Sequence, residues 1–332
     1  MHTLTPTEWI WKNGSFIPWD DTRVHLLAHS MQYGSAIFEG IRCYETPDGP
    51  AIFRLDHHLQ RLLGSCKIYR MEVPYSVEDL VRACSELIEK NGLTSAYLRP
   101  MVIRGYGAAS MVPFPSPVEV YLPCWPWGAY LGDGAIEQGV DVCVSTWNRV
   151  APNTLPTMAK IAGNYLSGML IKMEAMANGF AEGIALGPDG MLSEGSGQNV
   201  FLVRGGVLYT TPVSASILQG ITRDAIIALA REAGLEVRIE ALPREMLYLA
   251  DEVFFCGTAS EVTPVRSIDK MPVGAGKPGP VTLDLQRRFL DVVQGRVPDT
   301  RGWLTYTRKV VAGAKGAGAG RKSAAAAPDA NG

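Results

Sequence analysis

Residues 152–167 read PNTLPTMAKIAGNYLS, which places a lysine between a proline-rich loop and a helical pattern. The prolines favour a loop up to Lys160, and the residues from there to Met176 suit a helix. No other charged residue occurs between positions 150 and 171. Burial among such neighbours disfavours the ammonium form, lowers the pKa of the lysine and exposes a nucleophilic amine. Most lysines are solvated surface cations, so this interpretation needs support from other stretches.

Three later stretches contain polar groups that could lie close to such an amine. LSEGSGQNVFL at 192–202 encloses Glu194 among small residues, where it could cap a turn or keep a cofactor ring nitrogen protonated. LQGITRD at 218–224 puts Thr222 at the start of a helix predicted over 222–233, a place for a phosphate or for an ordinary N-cap. The strand in YLADEVFFCGTA ends in Gly-Thr-Ala, whose backbone donors suit a phosphate or a carboxylate.

The first half of the chain has an α+β pattern. Asn13-Gly14 joins two apolar runs, which is typical of a β-hairpin. Ser76 and Asp79 form a capping-box pattern at the start of one predicted helix. Strands are predicted at 37–44, 51–53, 96–103 and 118–122, and helices at 56–69 and 76–90.

The second half is richer in strands. They are predicted at 139–145, 182–186, 199–203, 207–211, 235–239 and 252–256. Turn residues cluster in PWGAYLGDG at 126–134, and the chain is Ala/Gly-rich after about Val311. These features predict a small N-terminal domain at 1–127, a linker at 128–138, a large domain at 139–310 and a disordered tail at 311–332.

Composition excludes several classes of protein. The 332 residues carry 31 Lys+Arg and 33 Asp+Glu, so no sequence-wide basic footprint indicates nucleic acid. No apolar run reaches the roughly 18–20 residues of a membrane-spanning helix, and the N-terminus lacks a signal-peptide pattern. The six cysteines are scattered without a C-x-x-C, which favours a reducing cytoplasm.

The histidines do not indicate a metal site. His25 and His29 are four residues apart, but no third ligand is close in sequence. The pair His57-His58 falls on a predicted surface helix, and the simplest expectation is that both are solvated.

Together, in this order and spacing, these segments resemble the branched-chain amino acid aminotransferases, a family of fold-type IV pyridoxal-phosphate enzymes. The match runs from about Trp9 to Trp303. The resemblance implies a mixed α/β two-domain fold of the D-amino acid aminotransferase type, with a smaller N-terminal domain and a larger domain built on a β-barrel-like core. Its most specific stretches are FEGIR at 38–42, YLRP at 97–100, APNT at 151–154, Lys160 with GNY at 163–165, SEG at 193–195, GITRD at 220–224 and GTA at 257–259.

The resemblance also implies the cofactor and its ligands. Lys160 would bind pyridoxal 5′-phosphate covalently and then move the proton between substrate Cα and cofactor C4′. Glu194 would pair with the pyridinium nitrogen, which makes the ring a better electron sink, and Tyr165 would hydrogen-bond its phenolic oxygen. The phosphate would be held by Arg61, Gly220, Ile221, Thr222 and Thr258.

The substrates implied are L-leucine, L-isoleucine or L-valine, with 2-oxoglutarate as the amino acceptor. Tyr97 and the Thr258-Ala259 backbone would bind the α-carboxylate. Arg99 would bind the distal carboxylate of glutamate or 2-oxoglutarate. Its alternation with Tyr97 places both side chains on one sheet face, which favours a position in the pocket over a surface ion pair. The aromatic pocket wall would consist of Tyr33, Phe38, Trp127, Tyr130 and Tyr165. Family members form homodimers or homohexamers.

Three alternatives remain open from the sequence. One is a fold-type IV transaminase for D-amino acids or (R)-amines, although the YLRP and FEGIR stretches favour the branched-chain type. Another is a lyase of the same fold, such as aminodeoxychorismate lyase, and a third is a non-catalytic cofactor-binding protein. The loop RGYGAASMVP at 104–113, which in the family reaches the neighbouring subunit's pocket, departs from the version expected in bacterial branched-chain enzymes.

Overall fold

A computed structural model describes residues 4–108, 110–127 and 134–307. The predicted tail at 311–332, most of the predicted linker, Tyr130 and Ala109 lie outside these residues. The helices are α1 (His29–Tyr33), α2 (Leu55–Ile68), α3 (Val77–Lys90), α4 (Ala135–Gln138), α5 (Tyr165–Ala177), α6 (Ile221–Glu232), α7 (Met246–Leu249) and α8 (Pro280–Val293).

Nineteen strands are present in the described part of the chain. In the first half they are β1 (Trp9–Lys12), β2 (Ser15–Pro18), β3 (Ile37–Phe38), β4 (Ile41–Tyr44), β5 (Ala51–Phe53), β6 (Ala96–Leu98), β7 (Met101–Arg104), β8 (Val118–Leu122) and β9 (Cys124–Trp125). In the second half they are β10 (Val140–Val144), β11 (Glu182–Leu186), β12 (Leu192–Gly195), β13 (Asn199–Arg204), β14 (Val207–Thr210), β15 (Val237–Ile239), β16 (Glu252–Gly257), β17 (Glu261–Ile268), β18 (Met271–Pro272) and β19 (Leu304–Tyr306).

The nine strands of the N-terminal half form two five-stranded sheets together with β19, in the orders β2-β1-β8-β7-β3 and β19-β5-β4-β6-β9. Asn13 and Gly14 both have positive φ, 46° and 92°, as the tight turn between β1 and β2 requires. Ser76 and Asp79 make the predicted capping box at the start of α3. Helices α2 and α3 cover the sheets with fully buried leucines at 59, 62, 80 and 87.

Two predicted strands are each broken into two. The prediction of one strand over 37–44 is wrong, because β3 and β4 belong to different sheets and the chain bends at Glu39-Gly40. The predicted strand over 96–103 likewise divides at Arg99-Pro100, where proline has no N–H to donate to a ladder. The Glu39 N–H donates to the Pro100 carbonyl at 2.8 Å, so the two bends lie side by side.

The second half forms a nine-stranded mixed sheet that curls into a half-barrel, with β12-β11-β10-β17-β16-β13-β14-β15 as its main order and β18 paired with β17. The expected barrel-like core and mixed α/β class are therefore confirmed. In this half the prediction missed the strands β12, β17, β18 and β19 and the helices α4, α7 and α8. Helix α5 packs on β11, and α6 packs on α8 and β16.

The chain returns to its N-terminal half at the end of the described residues. β19 pairs antiparallel with β5, Leu304 opposite Phe53, and Phe53 and Trp303 meet edge to face at 5.8 Å. A strand from the C-terminal half thus completes an N-terminal sheet. The division into domains at 1–127 and 139–310 stays a prediction.

Candidate active site

One cavity of about 470 Å³ gathers most of the predicted site residues. Its volume lies in the range of small-molecule sites. Its wall comes from the two strand bends, the segment around Lys160, the start of α6 and the turn after β16. The predicted residues that line it are Phe38, Arg61, Tyr97, Arg99, Trp127, Lys160, Tyr165, Glu194, Gly220, Ile221, Thr222, Thr258 and Ala259.

Lys160 lies just before the helical segment. A 3₁₀ turn at Ala162–Asn164 leads directly into α5 at Tyr165, so the helix predicted from Lys160 begins two residues later than expected. Two hydrogen bonds fix the backbone of Lys160. Its N–H donates to Ser65 Oγ at 3.0 Å, and its carbonyl accepts from the Phe38 N–H at 3.0 Å. Its Nζ contacts the Tyr165 hydroxyl. Desolvation in the cavity lowers the pKa of Lys160 to about 8, against the opposing charge of Glu39.

Glu194 is buried, with 4% of its surface exposed. Arg149 Nη2 pairs with its Oε1 at 2.8 Å, while the Asn199 side-chain amide and the Leu218 N–H donate to its Oε2 at 3.0 and 3.1 Å. Burial nevertheless raises the pKa of Glu194 to about 7, although Arg149 opposes the rise. Sequence reasoning missed Arg149 and Asn199. The only signal for Arg149 is its position next to the long uncharged stretch around Lys160.

The start of α6 faces the cavity as an open anion site. The helix begins at Ile221, one residue earlier than predicted, with Gly220 as its N-cap and no side-chain cap from the described residues. A Cβ on Gly220 would lie 2.0 Å from Asn199 Oδ1, so a larger residue does not fit there. The N–H groups of the first turn and the positive end of the helix dipole are suited to a phosphate.

Arg61, on α2, lies beside the start of α6, but three of its N–H groups already bond other residues. Its Nε and Nη2 donate to the two Glu39 oxygens at 2.7 and 2.8 Å, and its Nη1 donates to the Gln219 carbonyl at 2.8 Å. His58 also bonds Glu39, Nδ1 to Oε2, at 2.8 Å. The expectation that His58 is solvated is wrong, because it is 1% exposed, whereas His57 is 42% exposed.

Aromatic rings and Arg99 form the wall on the side of the strand bends. Tyr97 stacks on Trp127 at 4.4 Å, and Arg99 Nη2 donates to the Tyr97 hydroxyl at 3.4 Å, so the two side chains share a face as predicted. The Phe38 and Tyr165 rings are 4.9 Å apart. Arg99 Nε is buried without a hydrogen-bond partner among the described residues.

Tyr33 does not join this wall in the described chain. It ends α1, is 43% exposed and packs against the His29 ring at 4.6 Å. Its place in the pocket wall stays a prediction. Thr258 and Ala259 do line the cavity, in the turn between β16 and β17. Next to them, Ser260 Oγ is buried without a partner among the described residues.

The described residues bring together no group of three potential metal ligands, and none of their helices is long and apolar enough to cross a membrane. The cavity instead fits an anionic cofactor with an aldehyde group. It joins a lysine amine of lowered pKa, a buried carboxylate and an uncapped helix start. These are the groups that pyridoxal phosphate needs for its aldehyde, ring nitrogen and phosphate.

Comparison with known proteins agrees with this chemistry. Residues 36–268 match the family model described as amino-transferase class IV. A branched-chain-amino-acid aminotransferase of Salmonella typhimurium is 51% identical over 303 residues, which cover 91% of this chain and 98% of the relative. One of Pseudomonas aeruginosa with the same description is 42% identical over 90% of this chain and 97% of its own length.

Solved structures show the same fold. The branched-chain amino acid aminotransferase of Escherichia coli superposes with a TM-score of 0.89 at 50% identity, covering 91% of this chain and all of the other. The T.th. enzyme of the same name, solved with pyridoxamine 5′-phosphate, has a TM-score of 0.88 at 45% identity, covering 91% and 99%. The T.th. enzyme is also known in complex with N-(5′-phosphopyridoxyl)-L-glutamate and with 4-methylvaleric acid.

The chain therefore belongs to the class IV aminotransferases, which are fold-type IV enzymes dependent on pyridoxal phosphate. Within that class, the relatives reported above are branched-chain amino acid aminotransferases. The expected fold, cofactor and class of enzyme are confirmed.

Proposed function

We propose that this chain reversibly transfers the amino group of L-leucine, L-isoleucine or L-valine to 2-oxoglutarate, giving L-glutamate and a branched 2-oxo acid. Relatives that cover 91% of this chain are named branched-chain amino acid aminotransferases. The observation that carries the proposal is the meeting of Lys160, Glu194 and the open start of α6 in one cavity.

The cofactor supplies an electron sink for the negative charge that develops at substrate Cα. Lys160 would bind the cofactor aldehyde and move the proton at Cα. Its pKa of about 8 leaves about a tenth of the amine neutral at pH 7, far more than in an ordinary lysine. Glu194 would hold the proton of the ring nitrogen, and the ion pair with Arg149 favours the charged form of that carboxyl. Tyr165, already in contact with Lys160 Nζ, would bond the phenolic oxygen.

The phosphate would rest on the N–H groups of Ile221 and Thr222, with Gly220, Arg61 and Thr258 beside it. The open helix start supports this assignment. Arg61 has two of its donor groups turned to Glu39 and one to Gln219, so only its remaining N–H bonds are available to the phosphate.

Two kinds of substrate must share one pocket. Phe38, Tyr165 and Trp127 offer an apolar wall to a branched side chain, which gains free energy from the area it buries. Arg99, whose Nε lacks a partner among the described residues, would bind the distal carboxylate of 2-oxoglutarate. Tyr97 and the turn at Thr258-Ala259 would hold the α-carboxylate. The T.th. relative, seen with both a glutamate adduct and a branched acid, supports a dual pocket.

We also propose a homodimer or homohexamer. Four apolar residues of α5, Leu166, Met169, Met173 and Met176, follow helical spacing and are each 51–60% exposed, which is unusual for a monomer. Analytical ultracentrifugation tests this assembly, and a monomer at micromolar concentration contradicts it.

A cytoplasmic location is supported by the six cysteines, which are all free and buried.

The activity is tested with the purified, coloured protein. L-Leucine and 2-oxoglutarate should yield glutamate, and L-leucine alone should convert the bound cofactor to its pyridoxamine form. D-Alanine and 1-phenylethylamine are the control donors for the D-amino acid and (R)-amine alternatives. Pyruvate released without a 2-oxo acid acceptor would identify a lyase. Preference for either control donor, or no spectral conversion with L-leucine, refutes the proposal.

A further inference from the structure

Glu39 is a fully buried carboxylate to which the activity above assigns no role. It lies at the bend between β3 and β4, inside the FEGIR stretch, with no surface exposed. Burying a carboxylate costs free energy unless partners compensate for the lost water. Here Arg61 donates two hydrogen bonds, His58 one, and the Gly40 N–H a longer one at 3.3 Å. Burial would raise the pKa of Glu39, but Arg61 and His58 hold it well below its usual range.

These contacts connect three elements at the cavity. Glu39 belongs to the bend between the two small sheets, while His58 and Arg61 lie one turn apart on α2. The third nitrogen of Arg61 bonds the carbonyl of Gln219, directly before the Gly220 N-cap of α6. A bidentate carboxylate fixes the plane of a guanidinium as well as its position. The direction in which Arg61 points its free N–H bonds therefore depends on Glu39.

We infer that Glu39 is a positioning residue, which with His58 orients Arg61 so that its remaining donors meet the cofactor phosphate at the start of α6. The inference rests on the phosphate site of the proposed function. It predicts that Glu39 affects the recognition of the phosphate and not of the ring, because Arg61 bonds the Gln219 carbonyl beside that helix start.

The test compares two ligands that lack an aldehyde, pyridoxamine 5′-phosphate and pyridoxamine, so that condensation with Lys160 does not enter. Their dissociation constants are measured by fluorescence titration of the cofactor-free protein. The ratio of the two constants is the phosphate preference. Glu39→Gln keeps the shape but leaves one of the donors of Arg61 or His58 without an acceptor, and the preference should fall on the order of tenfold.

Three variants complete the experiment. Glu252→Gln removes another buried carboxylate, which caps α8 and does not line the cavity, so it should leave the preference unchanged. Arg61→Met should lower the preference, and adding Glu39→Gln to it should lower it no further. Glu39→Asp keeps the buried charge but shortens the side chain. It should also lower the phosphate preference, and it replaces Glu39→Gln as the test variant if Glu39→Gln does not fold.

The outcomes separate the inference from the proposed function. If the wild-type protein has no phosphate preference, the proposed phosphate site fails and the inference fails with it. If Arg61→Met lowers the preference but the Glu39 variants do not, only the inference is overturned. An equal loss of affinity for both ligands would assign Glu39 a purely structural role. A further loss in the Arg61→Met background would show that Glu39 does not act through Arg61.

Discussion

Glu194 makes the stability of the cofactor-free protein depend on pH in an unusual direction. Burial raises the pKa of this carboxyl from an ordinary 4.5 to about 7, although Arg149 opposes the rise. Between these values the folded chain holds a proton that the unfolded chain has released. The contribution of Glu194 to stability is therefore fully present below pH 4.5 and is lost as the pH rises to about 7.

The size of the effect follows from the two pKa values. Each unit of difference corresponds to about 1.4 kcal/mol, so ionising Glu194 in the folded protein costs on the order of 3 kcal/mol. The residue is 4% exposed, so solvent screens this cost little. For a chain of 332 residues the loss corresponds to a fall in Tm of about 4 °C.

Melting curves of the cofactor-free protein at pH 5 and pH 8 measure this effect. Glu194→Gln is uncharged at both pH values, so it should gain about 2–3 kcal/mol relative to the wild-type protein between pH 5 and pH 8. Glu78→Gln, which changes an exposed carboxylate on α3, serves as the control and should run parallel to the wild type. Parallel curves for Glu194→Gln as well would refute the reasoning.

Three further variants test the site itself. Lys160→Ala should lose turnover with L-leucine by on the order of a thousandfold, and a borohydride-treated digest should contain no cofactor adduct; normal transamination would refute the assignment. Arg99→Met should raise the KM for 2-oxoglutarate by on the order of tenfold while changing that for L-leucine less, whereas equal changes would place the distal carboxylate elsewhere. Gly40→Ala would bring a Cβ within 2.0 Å of the Tyr97 hydroxyl, a clash that costs about 1–3 kcal/mol. It should therefore raise the KM for L-leucine without unfolding the chain, as steady-state kinetics and a melting curve would show; an unchanged KM would contradict the role of Tyr97.

The sequence predicted local structure correctly where a few neighbouring residues are enough to form it. The Asn13-Gly14 turn and the capping box of Ser76 and Asp79 form as predicted, because their hydrogen bonds and φ angles involve only a few consecutive residues. The uncharged flanks of Lys160 likewise predicted a desolvated amine, but its role as the cofactor lysine was implied only by the family resemblance.

Only the three-dimensional fold shows which distant residues pair with one another. No local pattern shows that the chain changes sheets at Glu39, that Leu304 returns to pair with Phe53, or that His58 is buried. These outcomes depend on which strands become neighbours, and the partners of a buried charge are chosen by the completed core. Sequence reasoning therefore predicted the candidate reactive groups and several turns. The fold decided their partners, because a buried carboxylate or guanidinium is stable only where the packed chain brings its hydrogen-bond partners to it.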